Sequence, residues 1–205
     1  MMKLMQNSWD AYALLLIDVQ YDFWDEDVKT GFPNFPENTR NLLEICRRKQ
    51  IEVIHVRAVF SADGSDWMAP YKVKGWIPCI QGTDGANPLP WAEAQSHEKV
   101  FVKKTFDAFC LPELDAYLKA KGKGFLLTAG LVTSICVLLT TASAAQKGYL
   151  VNMVADCCGD EPLAHTHALE RYQRIFMSTA GHQEILAMKP AWDHHLQSVK
   201  NLTKP

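Results

Sequence analysis

The stretch Tyr12-Ala13-Leu14-Leu15-Leu16-Ile17-Asp18-Val19-Gln20-Tyr21-Asp22-Phe23 decides the fold. Its first six residues are an unbroken apolar run, as a strand buried on both faces requires, and the run stops at a carboxylate. Strands of this kind belong to parallel sheets covered by helices, and the pattern recurs along the chain. Glu37–Lys49, introduced by Pro36, reads as a helix with Leu42, Leu43, Ile45 and Cys46 on one side, and Ile51–Val56 as the next strand. Lys99–Val102, Phe125–Ala129 and Leu150–Ala155 read as further strands. Pro112–Lys121, Thr133–Lys147 ended by Gly148, and Pro162–Phe176 read as helices. Glu184–Met188 reads as a last short strand and Ala191–Val199 as a terminal helix. The expected architecture is α/β: one doubly wound, mostly parallel sheet flanked by helices. Residues 1–11 are expected to be an N-terminal arm and 12–205 the single domain, a size at which one core suffices.

Between them, Ala58–Gln95 shows neither period and carries prolines at 70, 78, 88 and 90 with glycines at 64, 75, 82 and 85. An irregular segment this long in a compact domain usually covers or lines a site. Its tryptophans, Trp67, Trp76 and Trp91, could either wall a pocket or pin the segment to the body.

A formal net charge of -2 and the absence of like-charge runs give neither a basic stripe for nucleic acid nor a polybasic membrane segment, so a small molecule is the expected partner. The first ten residues lack an apolar signal core, and a cytoplasmic location is expected. There, Cys46, Cys79, Cys110, Cys136, Cys157 and Cys158 should stay reduced; none has zinc-site spacing, and the vicinal Cys157-Cys158 reads as structural.

Parallel sheets bind ligands beyond the carboxyl ends of their strands. Asp18, Lys103 and Cys136 follow three different strands, bringing an acid, a base and a thiol to one sheet edge. A thiol in the first turn of a helix is favoured as thiolate by the unpaired N–H groups and the macrodipole, and those groups can hold an oxyanion. A cysteine within Ile-Cys-Val-Leu-Leu can equally be a small buried apolar residue, and spacing alone leaves both accounts open. Arg57, ending the second strand, could meet a substrate carboxylate or pair with Asp63 or Asp66. His55 reads as a sheet residue, and His165, His167 and His182 as packing or surface residues.

Three segments resemble the isochorismatase-like cysteine hydrolases. Leu16–Phe23 is similar to their first-strand signature Asp-x-Gln-x-x-Phe, Lys103-Lys104-Thr105-Phe106-Asp107-Ala108-Phe109 to their lysine motif, and Gly130–Val137 with Thr141-Ala142 and Gly148-Tyr149 to their nucleophile motif. The resemblance runs from about Tyr12 to about Ile185 and implies a Rossmann-like three-layer fold. It implies catalytic Asp18, Lys103 and Cys136, a cis peptide joining Leu131 to Val132, and an oxyanion hole made by the N–H groups of Val132 and Cys136. Gln20, Phe23, Arg57, Trp76 and Phe106 are the expected substrate contacts, with Phe106 standing where the family usually has Tyr. Family nicotinamidases carry a metal on an Asp and two His after the second strand; Arg57–Trp67 has carboxylates but no histidine, so no metal and no cofactor are expected. The expected activity is hydrolysis of a small amide or ureido bond through a thioester by a homo-oligomer, at least a dimer. The alternatives are vinyl-ether hydrolysis of the isochorismatase type with Asp18 as general acid, or a non-catalytic binding protein on the same fold.

Overall fold

The structure is a computed structural model that describes residues 8–202. Six strands form a wholly parallel sheet in the order β3-β2-β1-β4-β5-β6, with β1 Tyr12–Ile17, β2 Glu52–Ala58, β3 Lys99–Lys103, β4 Phe125–Leu131, β5 Leu150–Gly159 and β6 Ser178–Ala180. Every residue of β1 and β4 is buried, as central strands with helices on both faces must be. Burying each leucine of such a strand stabilises the fold by roughly 1.5–3 kcal/mol. The chain winds from β1 out to β3, then returns to β4 and proceeds the other way, so the order reverses between β1 and β4. That reversal opens a crevice at the carboxyl ends of these two strands.

Helices α1 Glu26–Gly31, α2 Phe35–Lys49, α3 Ala69–Lys74, α4 Pro112–Ala120, α5 Leu138–Gln146, α6 Pro162–Tyr172 and α7 Ile185–Leu202 complete the fold. α2 buries Phe35, Leu42, Leu43 and Cys46, and ends on Arg47, Arg48 and Lys49, cations that suit the negative end of its dipole. Trp192 of α7 packs on Phe125 with ring centroids 4.7 Å apart and also lies against Tyr12. Much of the expected arm lies outside the described residues; of the remainder, Trp9 is buried against Tyr12.

Two expected elements change. Glu184–Met188 is no strand: Ile185 opens α7, and the sixth strand is the three-residue Ser178–Ala180. Ile185, Met188, Trp192 and Leu196 keep a helical spacing straight through Pro190, and this apolar face outweighs the proline's missing hydrogen bond. The Ala58–Gln95 excursion contains α3 and two single-turn 3-10 segments, too short for periodicity to reveal. α6 stops at Tyr172, whose ring packs on Phe176 beyond it.

A buried charge cluster ties α2 to the sheet. Glu98, whose side chain is 3% exposed, takes two hydrogen bonds from Arg47 (2.8 and 2.9 Å), one from the Gln95 backbone (2.9 Å), and lies 2.9 Å from His55 Nε2. Burial pushes its carboxyl up, but Arg47, Gln95 and His55 win and hold it down at about 2. A folded-state value below the ordinary 4.5 gives stability that is present above 4.5 and lost as pH falls toward 2. Equilibrium urea unfolding should therefore show Glu98→Gln losing its disadvantage against the parent over that interval, by roughly 2–3 kcal/mol. A gap independent of pH would show that the pairing is not charge-linked.

Candidate active site

The crevice at the strand-order reversal holds three side chains. Asp18 follows β1 with a positive φ of 51° and is wholly buried; its N–H donates to Val56 O. Lys103 closes β3, 1% exposed, with Nζ 2.6 Å from Asp18 Oδ2, donating to Thr105 O at 2.8 Å and lying 3.7 Å from Cys136 Sγ. Cys136 sits in a π-helical turn, Thr133–Val137, between β4 and α5, and is 4% exposed. Gly130, at the end of β4 with φ 129°, permits this assembly: a Cβ there would stand 1.9 Å from Ile17 O, so only glycine lets the two strand ends close together. The Leu131–Val132 peptide is cis.

Electrostatics in this pocket are dominated by burial. It raises the Asp18 carboxyl above its ordinary range, and the adjacent Lys103 offsets only part of that rise. Burial alone would lower Lys103, yet the charges of Asp18 and Cys136 carry it above its usual value. The Cys136 thiol is pushed up by burial and then by Asp18, with Lys103 in partial opposition. The resting site thus favours a protonated thiol facing a carboxyl group. Cys136 lies in the first turn of a helical segment that opens at Thr133 and continues as α5, and burial opposes what that helix end supplies to a thiolate.

The turn that carries Cys136 lacks a capping side chain of its own. Thr133 Oγ1 is engaged by His165 Nδ1 at 2.9 Å, while Asp160, just past β5, accepts from Ser134 N at 2.7 Å and from Glu161 N at 2.8 Å. Asp160 is therefore the anchor of the nucleophile turn, a role its distance in sequence concealed. Asp160→Ala should lower stability by about 1–2 kcal/mol in urea unfolding, the cost of an orphaned N–H at a helical start. No change would place the anchoring elsewhere.

The other expected contacts divide. Phe23 packs between the main core and a smaller cluster of Ala58, Phe60, Tyr71 and Cys79, and Phe106 stands edge-on to Tyr71 at 5.6 Å. Trp76 is half exposed, edge-on to Tyr71 at 6.2 Å, and Trp67 lies on the same cluster, whereas Trp91 packs with Trp24 on the main core. Gln20 is fully buried with Nε2 donating to Ala58 O and Ala86 O and Oε1 accepting from Ala58 N. Through these three bonds it braces β2 against the excursion. Arg57 lies one residue before Ala58, the register partner of Lys103, so strand alternation turns it to the opposite sheet face. The charge that acts on it there is Glu93, and neither Asp63 nor Asp66 pairs with it.

Tyr71 and Cys79 escape a sequence reading. Both are buried, and burial and then the charges of the Asp18 and Cys136 groups raise the Tyr71 hydroxyl; burial, Asp18 and Asp22 raise Cys79. Tyr71 therefore lies within electrostatic reach of Cys136 and Asp18, and Cys79 of all three side chains. Tyr71 had only Pro70, at a helix start, as a signal; Cys79 had none. The carboxylates after β2 do not fit a metal: Asp66 is committed to Ser61 and to Lys104 at 2.7 Å, and Asp63 to Ser65. No histidine lies between Arg57 and Trp67 to join them.

Residues 12–184 match the model of the isochorismatase domain. A "probable inactive nicotinamidase" of Arabidopsis thaliana is 29% identical over 185 residues, covering 85% of this chain and 94% of its own. The nicotinamidase of Escherichia coli is 26% identical over 204 residues, covering 82% and 92%. The crystal structure of an isochorismatase family protein from Desulfovibrio vulgaris superposes with a TM-score of 0.81 at 27% identity, covering 88% of this chain and 98% of that one. Among the described residues no helix is long and apolar enough to cross a membrane.

Proposed function

The chain belongs to the isochorismatase family of hydrolases, and from that premise we propose that it cleaves a carbon–nitrogen bond of a small amide or ureido compound with Cys136 as nucleophile. The observation that carries the reading is the buried contact set: Lys103 Nζ 2.6 Å from Asp18 and 3.7 Å from Cys136 Sγ. Asp18 takes the thiol proton as Sγ attacks the carbonyl carbon. A carboxyl raised by burial is a better proton acceptor than an ordinary one, and it returns the proton to the leaving amine. Lys103 holds the charge and position of Asp18 throughout. Ser134 N–H is committed to Asp160, and Ile135 and Val137 N–H to Val132 O; the N–H groups of Val132 and Cys136 are the proposed oxyanion donors. Water then hydrolyses the thioester.

Phe23, Tyr71, Trp76 and Phe106 are the proposed substrate wall, and no step is routed through a metal or cofactor. A homo-oligomer in a reducing cytoplasm is the proposed setting, where a thiol nucleophile persists. The raised Asp18 carboxyl also suits a second reading, in which it acts as general acid on an isochorismate-like ether and the thiol is idle. Incubation with a panel of primary amides, ureido acids and isochorismate, read for ammonia, amine or pyruvate release, tests the proposal. Amine or ammonia from an amide or ureido member is the expected result; turnover of isochorismate alone would overturn it.

A further inference from the structure

Away from the crevice, β5 carries an irregularity that gathers a second set of reactive side chains. Thr128 of β4 pairs with Met153 and Gly130 with Cys158, so a two-residue step on β4 faces a five-residue step on β5. Extra residues break strand alternation and re-aim side chains. Here they set Asp156 and Cys157, neighbours that would otherwise point to opposite faces, side by side with Sγ 3.7 Å from Oδ1. The ladder to β6 ends at Val154–Ala180, and the chain then turns at Gly181 over the free end of β5. A Cβ at Gly181 would stand 3.1 Å from Asp156 Oδ2, a measure of how closely this turn passes the carboxylate. His182 follows, with Nδ1 2.7 Å from Asp156 Oδ2 and its backbone N–H 2.8 Å from Oδ1. Sγ, a ring nitrogen of His182 and a carboxylate oxygen all lie within 4.8 Å of one another.

We propose that Asp156, Cys157 and His182 form a binding site for a divalent cation of the zinc type, separate from the Asp18–Lys103–Cys136 crevice. One thiolate, one imidazole nitrogen and one carboxylate oxygen are the donors of a borderline-soft tetrahedral ion and a poor set for calcium or magnesium. Without a cation, protons hold the donors together. Burial and the Asp156 carboxylate keep Cys157 protonated, and the His182 Nδ1 hydrogen points at a carboxylate that can only accept. Binding releases the Cys157 proton to solvent and leaves any imidazole hydrogen of His182 on Nε2, with Nδ1 as ligand. Cys157 and His182 are buried, whereas Asp156 is partly exposed and lines a cavity of about 360 Å³ with Phe35, Asn38 and His165, so the site is approached from the Asp156 side. Asn38 Nδ2 donates to the Asp156 carbonyl and steadies the strand beneath the donors.

The test titrates Co²⁺ alone into the full chain after chelator treatment and reads the near-ultraviolet thiolate-to-cobalt absorption. One ion per chain is expected, displaced by Zn²⁺, with the band retained in Cys136→Ala and lost in Cys157→Ser. His182→Gln should weaken Co²⁺ binding about tenfold or more. Absence of the band in the parent chain, or its survival in Cys157→Ser, would overturn the proposal. Should Cys157→Ser not fold, as judged by circular dichroism, His182→Gln decides: unchanged Co²⁺ affinity overturns the site and weakened affinity supports it.

Discussion

Cys136→Ala is expected to lower kcat on an amide or ureido substrate by roughly 10⁴-fold or more while leaving the fold intact, the scale on which loss of a covalent nucleophile is felt. The side chain removed is small and sits beside an ion pair that keeps its own 2.6 Å contact, so the melting temperature should move little. Single-turnover mass spectrometry of the parent chain should show acyl mass on the peptide containing Cys136. The same variant separates the two readings of the site. Ether hydrolysis needs only a proton from Asp18, so Cys136→Ala that retained turnover of isochorismate would leave Asp18 as the working group and sink the thioester route. Loss of all turnover with retained fold supports the thiol.

What the sequence disclosed follows from where physics is local. A run such as YALLLI can be buried on both faces only in a central parallel strand, so β1, β4 and the order of elements were legible, as was the meeting of Asp18, Lys103 and Cys136 at the strand-order reversal. Burial, by contrast, is a property of the assembled fold. A helix start favours a thiolate at Cys136, while burial, which raises the thiol, follows from the packing around it. Gln20 was expected at the substrate, and its hydrogen-bond partners Ala58 and Ala86 are 38 and 66 residues away, beyond what a local pattern reveals. Arg57 looked like a site residue because sheet face depends on register, and a strand end alone does not reveal it. Tyr71 and Cys79 lay in an excursion with no period, and Asp160 reaches the nucleophile turn across 26 residues.

Lys103→Met should have the largest effect on stability, because it strips a wholly buried carboxylate of its cation. Breaking a buried pair by removing one partner costs about 3–5 kcal/mol, whereas removing both charges is far milder. The double variant Asp18→Asn/Lys103→Met should therefore recover much of the stability that Lys103→Met loses, yet regain no activity, since no proton acceptor faces Cys136. The loss in Lys103→Met should also shrink on acidification. Without Lys103, burial holds the folded-state carboxyl of Asp18 above its unfolded value of 3.8. A group raised on folding contributes stability at pH below that unfolded value and forfeits it as pH rises through the folded one. This trend is opposite in sign to that of Glu98, whose carboxyl the fold depresses. Urea midpoints of the parent, the single and the double variants across acid pH read both trends in one experiment. If Lys103→Met proved as stable as the parent at neutral pH, Asp18 would already be neutral in the resting protein, and Lys103 could not be the group that keeps it ionised for the thiol proton.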